Sequence, residues 1–398
     1  MTRFVSLLLI VGTAAPLAGQ AVDPNLALAK RVLRTTPLVD GHNDLPWRIR
    51  EDSIARGDVE RYDLRKPTPG HTDIARLRKG MIGAQFWSIY IPGEIKDSGY
   101  ARVQLEEFDI ARRVIAKYPE VLQWTPTVAA VRRAFAAKKI GSLLGLEGGH
   151  AIENSLGALR MYYEMGARYM TLTHNVTLDW ADAALDSAKH GGLTPFGEEV
   201  VREMNRLGML VDLSHVSPGT MSDALNITEA PVIFSHSGSR ALVDHRRNVP
   251  DSILARLPKN GGVVMVPFVT PFVSAALKAW EDSGAALRKG PRPHVTIKDV
   301  ADHIDHVRQV AGVDHVGIGS DFDGITETVE GLEDVSAFPA LFAELARRGW
   351  KEAELRKLAG ENVLRVLGQA ERVAARLQKT RSPSAKTIRQ LDGHAPVT

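Results

Sequence analysis

Apolar residues in this chain gather into eight short, near-continuous runs, near 38–40, 84–90, 142–146, 169–173, 210–213, 232–234, 263–267 and 315–319. Unbroken runs, in contrast to strict alternation, are the pattern of parallel strands covered on both faces. Helical patterns separate most of them, over 104–117, 156–164, 196–207, 218–225, 251–257 and 297–310. Strand and helix alternating along one chain predict right-handed crossovers and a parallel sheet. Eight such units predict an α/β fold of the closed (β/α)8 TIM-barrel type. The competing arrangement is an open doubly wound sheet, which gathers its polar residues around one switch point. Here they end nearly every run. Further helical patterns over 335–348, 351–358 and 361–377 place extra C-terminal helices behind the eighth strand, and 381–398 reads as a loosely ordered tail.

The first residues follow another pattern. Arg3 precedes an apolar stretch over 4–18 and then small residues, with a cleavage point after Ala21. This is the layout of a secretory signal peptide over 1–21. The stretch is short for a bilayer crossing, which takes ~20 residues. The expectation is one domain over 22–380, exported to the periplasm or beyond, with no membrane anchor in its mature form. The chain has no cysteine, so disulfides and thiolate metal ligands are excluded. Hydrophobic residues make up 44% and charged residues 24%, ordinary for a soluble globular protein with a sizeable core. A net charge of +3, with no basic run interleaved with aromatics, argues against a nucleic-acid surface.

The chemistry lies at the ends of the runs. His42 and Asp44 close one, Glu147 closes another, and His215 and His236 close two more. Residues i and i+2 of a strand share a face, so His42 and Asp44 can reach one ion. A carboxylate at the end of a buried strand needs a cation or hydrogen bonds to offset its burial, and Glu147 has two oxygens with which to bridge. Imidazoles and carboxylates suit zinc and other divalent ions. Taken singly, the His42–Asp44 pair reads as a solvated loop, His215 or His236 as a satisfied core position, and Glu147 has the alternative of hydrogen bonds to the glycine-rich loop after it. Their recurrence at strand ends favours one shared centre.

Several motifs resemble the membrane (renal-type) dipeptidase family of zinc peptidases: Asp-Gly-His-Asn-Asp at 40–44, Glu-Gly-Gly-His at 147–150, Leu-Thr-His-Asn at 172–175, Leu-Ser-His at 213–215, Ser-His-Ser at 235–237, Arg-Arg-Asn-Val-Pro at 246–250 and Gly-Ser-Asp-Phe-Asp-Gly at 319–324. They run in order along nearly the whole chain. The resemblance implies a TIM barrel holding two zinc ions that hydrolyses small dipeptides, often tolerating a D-residue at the C-terminal position, through a metal-activated bridging water. It implies one ion on His42 and Asp44, the other on His215 and His236, and Glu147 between them. It gives His174 to the substrate carbonyl, Arg247 to the free carboxylate and Asp321 to proton transfer. It also implies a homodimer. His150 reads as support for the metal site, and Trp47, Phe86 and Trp87 as candidate pocket walls that are equally at home in a core. The chain departs from the family's animal members in lacking disulfides and a lipid anchor, and it offers Phe272 where they have a pocket tyrosine.

Three other functions fit parts of the pattern. Asp321-Phe322-Asp323-Gly324 resembles the nucleophile motif of haloacid-dehalogenase-type phosphatases, but that motif belongs at the start of a domain. An amidohydrolase-type enzyme acting on a lactone, cyclic amide or phosphotriester would usually bridge its metals with a modified lysine, where Glu147 stands here. A non-catalytic, exported solute-binding protein would have no use for Asp321.

Overall fold

Eight parallel strands close into a ring in the computed structural model, which describes residues 23–95, 99–285 and 287–393. In chain order the strands are β1 Leu38–Asn43, β2 Ile82–Tyr90, β3 Leu122–Trp124, β4 Ile140–Glu147, β5 Ala167–Thr171, β6 Leu210–Asp212, β7 Ile233–Phe234, β8 Val263–Val266 and β9 Val316–Ile318. They follow one another as β2-β1-β9-β8-β7-β6-β5-β4, and β2 pairs with β4 from Ala84↔Gly141 to Tyr90↔Glu147 to complete the circle. The short β3 lies outside the ring, alongside the first residues of β4 (Leu122↔Ile140 to Trp124↔Ser142). The predicted (β/α)8 barrel is therefore the observed fold.

The strands are apolar on both faces because both are covered. Every residue of β1, β4, β6, β7, β8 and β9 is buried. Local signals fix the crossover helices. Thr194 accepts from the Gly197 amide to cap helix Pro195–Leu207, which starts on a proline and stops at Gly208 with φ 85°. Helix Ile297–Ala311 opens on a reciprocal Thr296/Asp299 capping box.

Position in the barrel decides where a site can be. Val39, Ala84, Phe86, Leu143, Tyr169, Leu210, Ile233, Val263 and Met265 form one buried cluster with Val363, Leu364, Val366, Leu367 and Ala370 of the C-terminal helix Asn362–Leu377. That helix plugs the barrel from below. Only the mouth at the carboxyl ends of the strands remains open, where active sites of this fold are built.

The expectation of a loosely ordered tail is corrected as far as residue 393. Residues Ile388–Asp392 form a short helix opened by a Thr387/Gln390 capping box. Asp392 accepts from Thr194 Oγ1 (2.7 Å) and the Phe196 amide (2.9 Å), docking the tail on the start of helix Pro195–Leu207. Ile388 and Leu391 also pack on the core, but one apolar pair is too short a period to read in a sequence. The signal-peptide segment lies outside the described residues. Among those described, no helix is long and apolar enough to cross a membrane.

Candidate metal centre

The five donors, drawn from four separate segments of the chain, meet at the open mouth. His42 lies in β1, Asp44 follows it, and Glu147 is the last residue of β4. His215 and His236 stand just past β6 and β7. His42 Nε2 is 3.3 Å from Asp44 Oδ2 and 3.3 Å from Glu147 Oε2. On the other side of the same carboxylate, Glu147 Oε1 is 3.1 Å from His215 Nε2 and 3.5 Å from His236 Nε2. Donors bound tetrahedrally at about 2.0–2.2 Å from a divalent ion are spaced by about 3.3–3.6 Å. The two halves of the cluster have close to that spacing, and Glu147 belongs to both.

Hydrogen bonds aim the imidazoles. Tyr169 donates its hydroxyl proton to the Gly41 carbonyl (3.2 Å), so its oxygen is left to accept from His42 Nδ1 at 2.8 Å. Ser235 Oγ donates to the buried Asp212 Oδ2 (2.6 Å) and accepts from His236 Nδ1 (2.9 Å). His215 Nδ1 faces the Asn175 amide oxygen at 3.1 Å. Each ring thus carries its proton on Nδ1 and turns the Nε2 lone pair inward, the arrangement metal-binding histidines need. His215 Nε2 and His236 Nε2 lie 2.9 Å apart, and His42 Nε2 has no hydrogen-bond partner. Lone pairs facing each other beside a buried carboxylate repel unless a cation lies among them. The donor set fits divalent metal ions.

Electrostatics points the same way. Burial pushes His215 and His236 well below the ordinary histidine range, with Arg247 adding to the effect, so both rings are neutral as ligands must be. Burial also opposes a charge on His42, but Tyr169, Glu147 and Asp44 together raise its pKa well above the usual range. The spot favours positive charge. Burial opposes the Glu147 carboxylate too, yet the attraction of His42 above all holds it well below the usual carboxylate range.

Around this centre, Trp47, Tyr90, Leu185, Val269, Phe272 and Ile325 give apolar walls to a cavity of about 440 Å³, within the roughly 300–1,000 Å³ of small-molecule sites. His174, Arg247 and Asp321 also line it. His174 Nε2 is 3.9 Å from Glu147 Oε1; burial first, then Arg247, lowers its pKa. Asp321 Oδ1 is 3.9 Å from His42 Nε2, and burial, reinforced by Asp44 and Glu147, raises its carboxyl well above the usual range. Arg247 is buried, its guanidinium 5.4 Å from the Phe272 ring centre, and its Nη1 has no partner. Burial brings it down to about 10, still protonated at neutral pH.

Other candidates fall outside the cluster. His150 bonds through Nε2 to the Ile91 carbonyl (2.9 Å) and braces the chain after β2 without touching a donor. Trp47 lines the cavity, whereas Phe86 and Trp87 are buried core. Sequence reasoning passed over Tyr169, Asn175, Asp212 and Ser235, the groups that orient the rings. The available signals were a hydroxyl inside the barrel and a serine next to His236.

Comparison with known proteins agrees with this geometry. Residues 26–381 match the family described as membrane dipeptidase, peptidase family M19. The fold is similar to that of the probable dipeptidase PvdM from Pseudomonas aeruginosa, at 23% identity and TM-score 0.79, covering 89% of this chain and 100% of that one. A metallo peptidase from Rhodobacter sphaeroides, liganded with a phosphinate mimic of the dipeptide L-Ala-D-Ala, is similar at 26% identity and TM-score 0.73, over 84% of this chain and 99% of its own. A metallo peptidase of family M19 called dipeptidase AC is similar at 28% identity and TM-score 0.72, over the same shares.

Proposed function

The chain belongs to the membrane dipeptidase family, peptidase family M19, and is a metal-dependent dipeptidase; from that premise we propose that it hydrolyses free dipeptides at a centre for two zinc ions and accepts a D-residue at the C-terminal position. The convergence of three Nδ1-anchored histidines on the two oxygens of Glu147 carries this reading. His42, Asp44 and Glu147 would hold one ion, and Glu147, His215 and His236 the other. Bound there, the pair would polarise the scissile carbonyl and lower the pKa of a shared water. The L-Ala-D-Ala mimic bound to the Rhodobacter sphaeroides relative supports the tolerance of a D-residue. A bridge through Glu147, with no lysine among the described cavity-lining residues, would set the site apart from lysine-bridged amidohydrolases.

The chain's own residues supply the rest. The free edge of the Arg247 guanidinium takes the substrate's terminal carboxylate in a planar fork, which selects dipeptides over longer chains. The apolar walls suit small or apolar side chains. His174 is neutral, its Nδ1 has no partner, and one ring N–H can donate to the carbonyl oxygen as charge develops there. Asp321, with its raised pKa, takes a proton from the attacking water and delivers it to the leaving amine.

Chelation followed by zinc reconstitution tests the reading against a panel of L-L and L-D dipeptides. Activity should vanish and return, and equal turnover by stripped and loaded protein would refute it. Arg247→Ala should raise KM for free dipeptides far more than for their C-terminal amides; equal effects would remove the carboxylate role. Ser235→Ala frees the His236 ring and should weaken binding of one ion by about 10–100-fold in a chelator competition. Unchanged affinity would show that the Asp212–Ser235–His236 chain does not tune the site. Export also belongs to this reading, and N-terminal sequencing of protein recovered outside the cytoplasm should begin at Val22.

A further inference from the structure

The turn after β9 carries Asp321 in a left-handed backbone conformation that most residues other than glycine, asparagine and aspartate avoid. Asp321 has φ 67° and Asp323 has φ 66°. Two such residues so close together persist only where their surroundings over-determine them. One side of the turn is held by the end of β1: the Asp321 amide donates to the His42 carbonyl (3.2 Å), and the Asp44 amide to the Phe322 carbonyl (2.9 Å). These are backbone bonds. They fix the turn's position and leave its side chains unspecified.

The other side is gripped through His71, on the loop before helix Ile74–Lys79. The His71 amide donates to Asp323 Oδ1 at 2.6 Å, and the Asp323 amide donates to His71 Nδ1 at 2.9 Å. Each residue uses one backbone and one side-chain group, so the pair is a reciprocal clasp. The approach is close: a Cβ on the neighbouring Gly70 would lie 2.2 Å from Asp323 Oδ1. The His71 ring packs 5.5 Å from that of buried Phe322, and Asn43 Nδ2 donates to Thr72 Oγ1 at 3.0 Å, fastening the same loop to β1. His71 touches none of the metal donors and does not line the cavity.

We propose that His71 is a positioning residue for Asp321: its clasp with Asp323 sets the turn so that the Asp321 carboxylate faces the metal centre. The proposal rests on the reading of Asp321 as the proton-transfer group. A misplacement of about 1 Å in a reacting group can cost about 10²-fold in rate.

The test compares His71→Ala and His71→Gln, which remove the acceptor at the δ position, with His71→Asn, whose amide oxygen can replace it. Each is made in the otherwise unchanged zinc-loaded protein and in an Asp321→Asn background. With the alanine and glutamine variants we expect kcat to fall by about 10–100-fold, while KM, zinc content and Tm stay near those of the parent. His71→Asn should recover most of kcat. In the Asp321→Asn background, none of the three should lower kcat further, because the group being positioned is already lost. Equal losses in both backgrounds, loss of zinc in proportion to activity, or no recovery with asparagine would overturn the proposal. Parent protein inert toward every dipeptide would instead bring down the reading of Asp321, and this inference with it.

Discussion

Asp321→Asn should yield a protein that folds, holds its ions and binds dipeptides, yet turns over about 10²–10⁴-fold more slowly. Asparagine has nearly the same shape, and it is among the few residues that tolerate a left-handed backbone such as the φ of 67° at this position. The turn after β9 should therefore survive. The ability to take up a proton is lost. In the parent, burial together with Asp44 and Glu147 lifts the Asp321 carboxyl well above its usual range, the direction that makes a carboxylate a stronger proton acceptor. Steady-state kinetics with parallel zinc analysis checks this. A variant with near-parental kcat would place proton transfer elsewhere, and a solute-binding protein would show no turnover to lose.

Glu147→Gln should act on the metal itself. Glu147 Oε1 faces His215 and His236, while Oε2 faces His42 and accepts a hydrogen bond from Ser88 Oγ at 3.0 Å. An amide has one acceptor oxygen, and its NH2 end offers no lone pair to the second ion. The loss of charge also removes what compensates two cations in a buried site. At least one ion per chain should be missing after dialysis. Turnover should drop by about 10³-fold or more, beyond the roughly 10–100-fold cost of losing an outer partner of a ligand. A variant that kept both ions and its activity would exclude Glu147 as the bridge.

The architecture was legible because parallel barrel strands have a simple signature. All eight apolar runs became ring strands, even β7, which has two residues, since burial on both faces forces the same residue types wherever the chain crosses the ring. The short β3 escaped notice: it has three residues, two of them only partly buried, and supports the ring from outside. The donors were legible by type and placement, as a histidine or carboxylate closing an apolar run is conspicuous. What orients them was not. Tyr169 reads as one more strand residue, and its hydroxyl meets His42 only because β5 and β1 lie across the barrel from each other, a relation with no local trace. Ser235 and Asp212 are 23 positions apart and join only through the pairing of β6 with β7. His71 was passed over for the same reason: its partner is 252 residues away.

Ring closure between the first and last strands also has a temporal consequence. Asp40 of β1 pairs with Ile318 of β9, and the donors themselves run from His42 to His236. A growing polypeptide cannot assemble both halves of the donor set before His236 has been synthesised, nor seat Asp321 until its final strand is in place. The donor set can therefore be whole before the ring is, and it is the seating of Asp321 that waits for the circle to be completed.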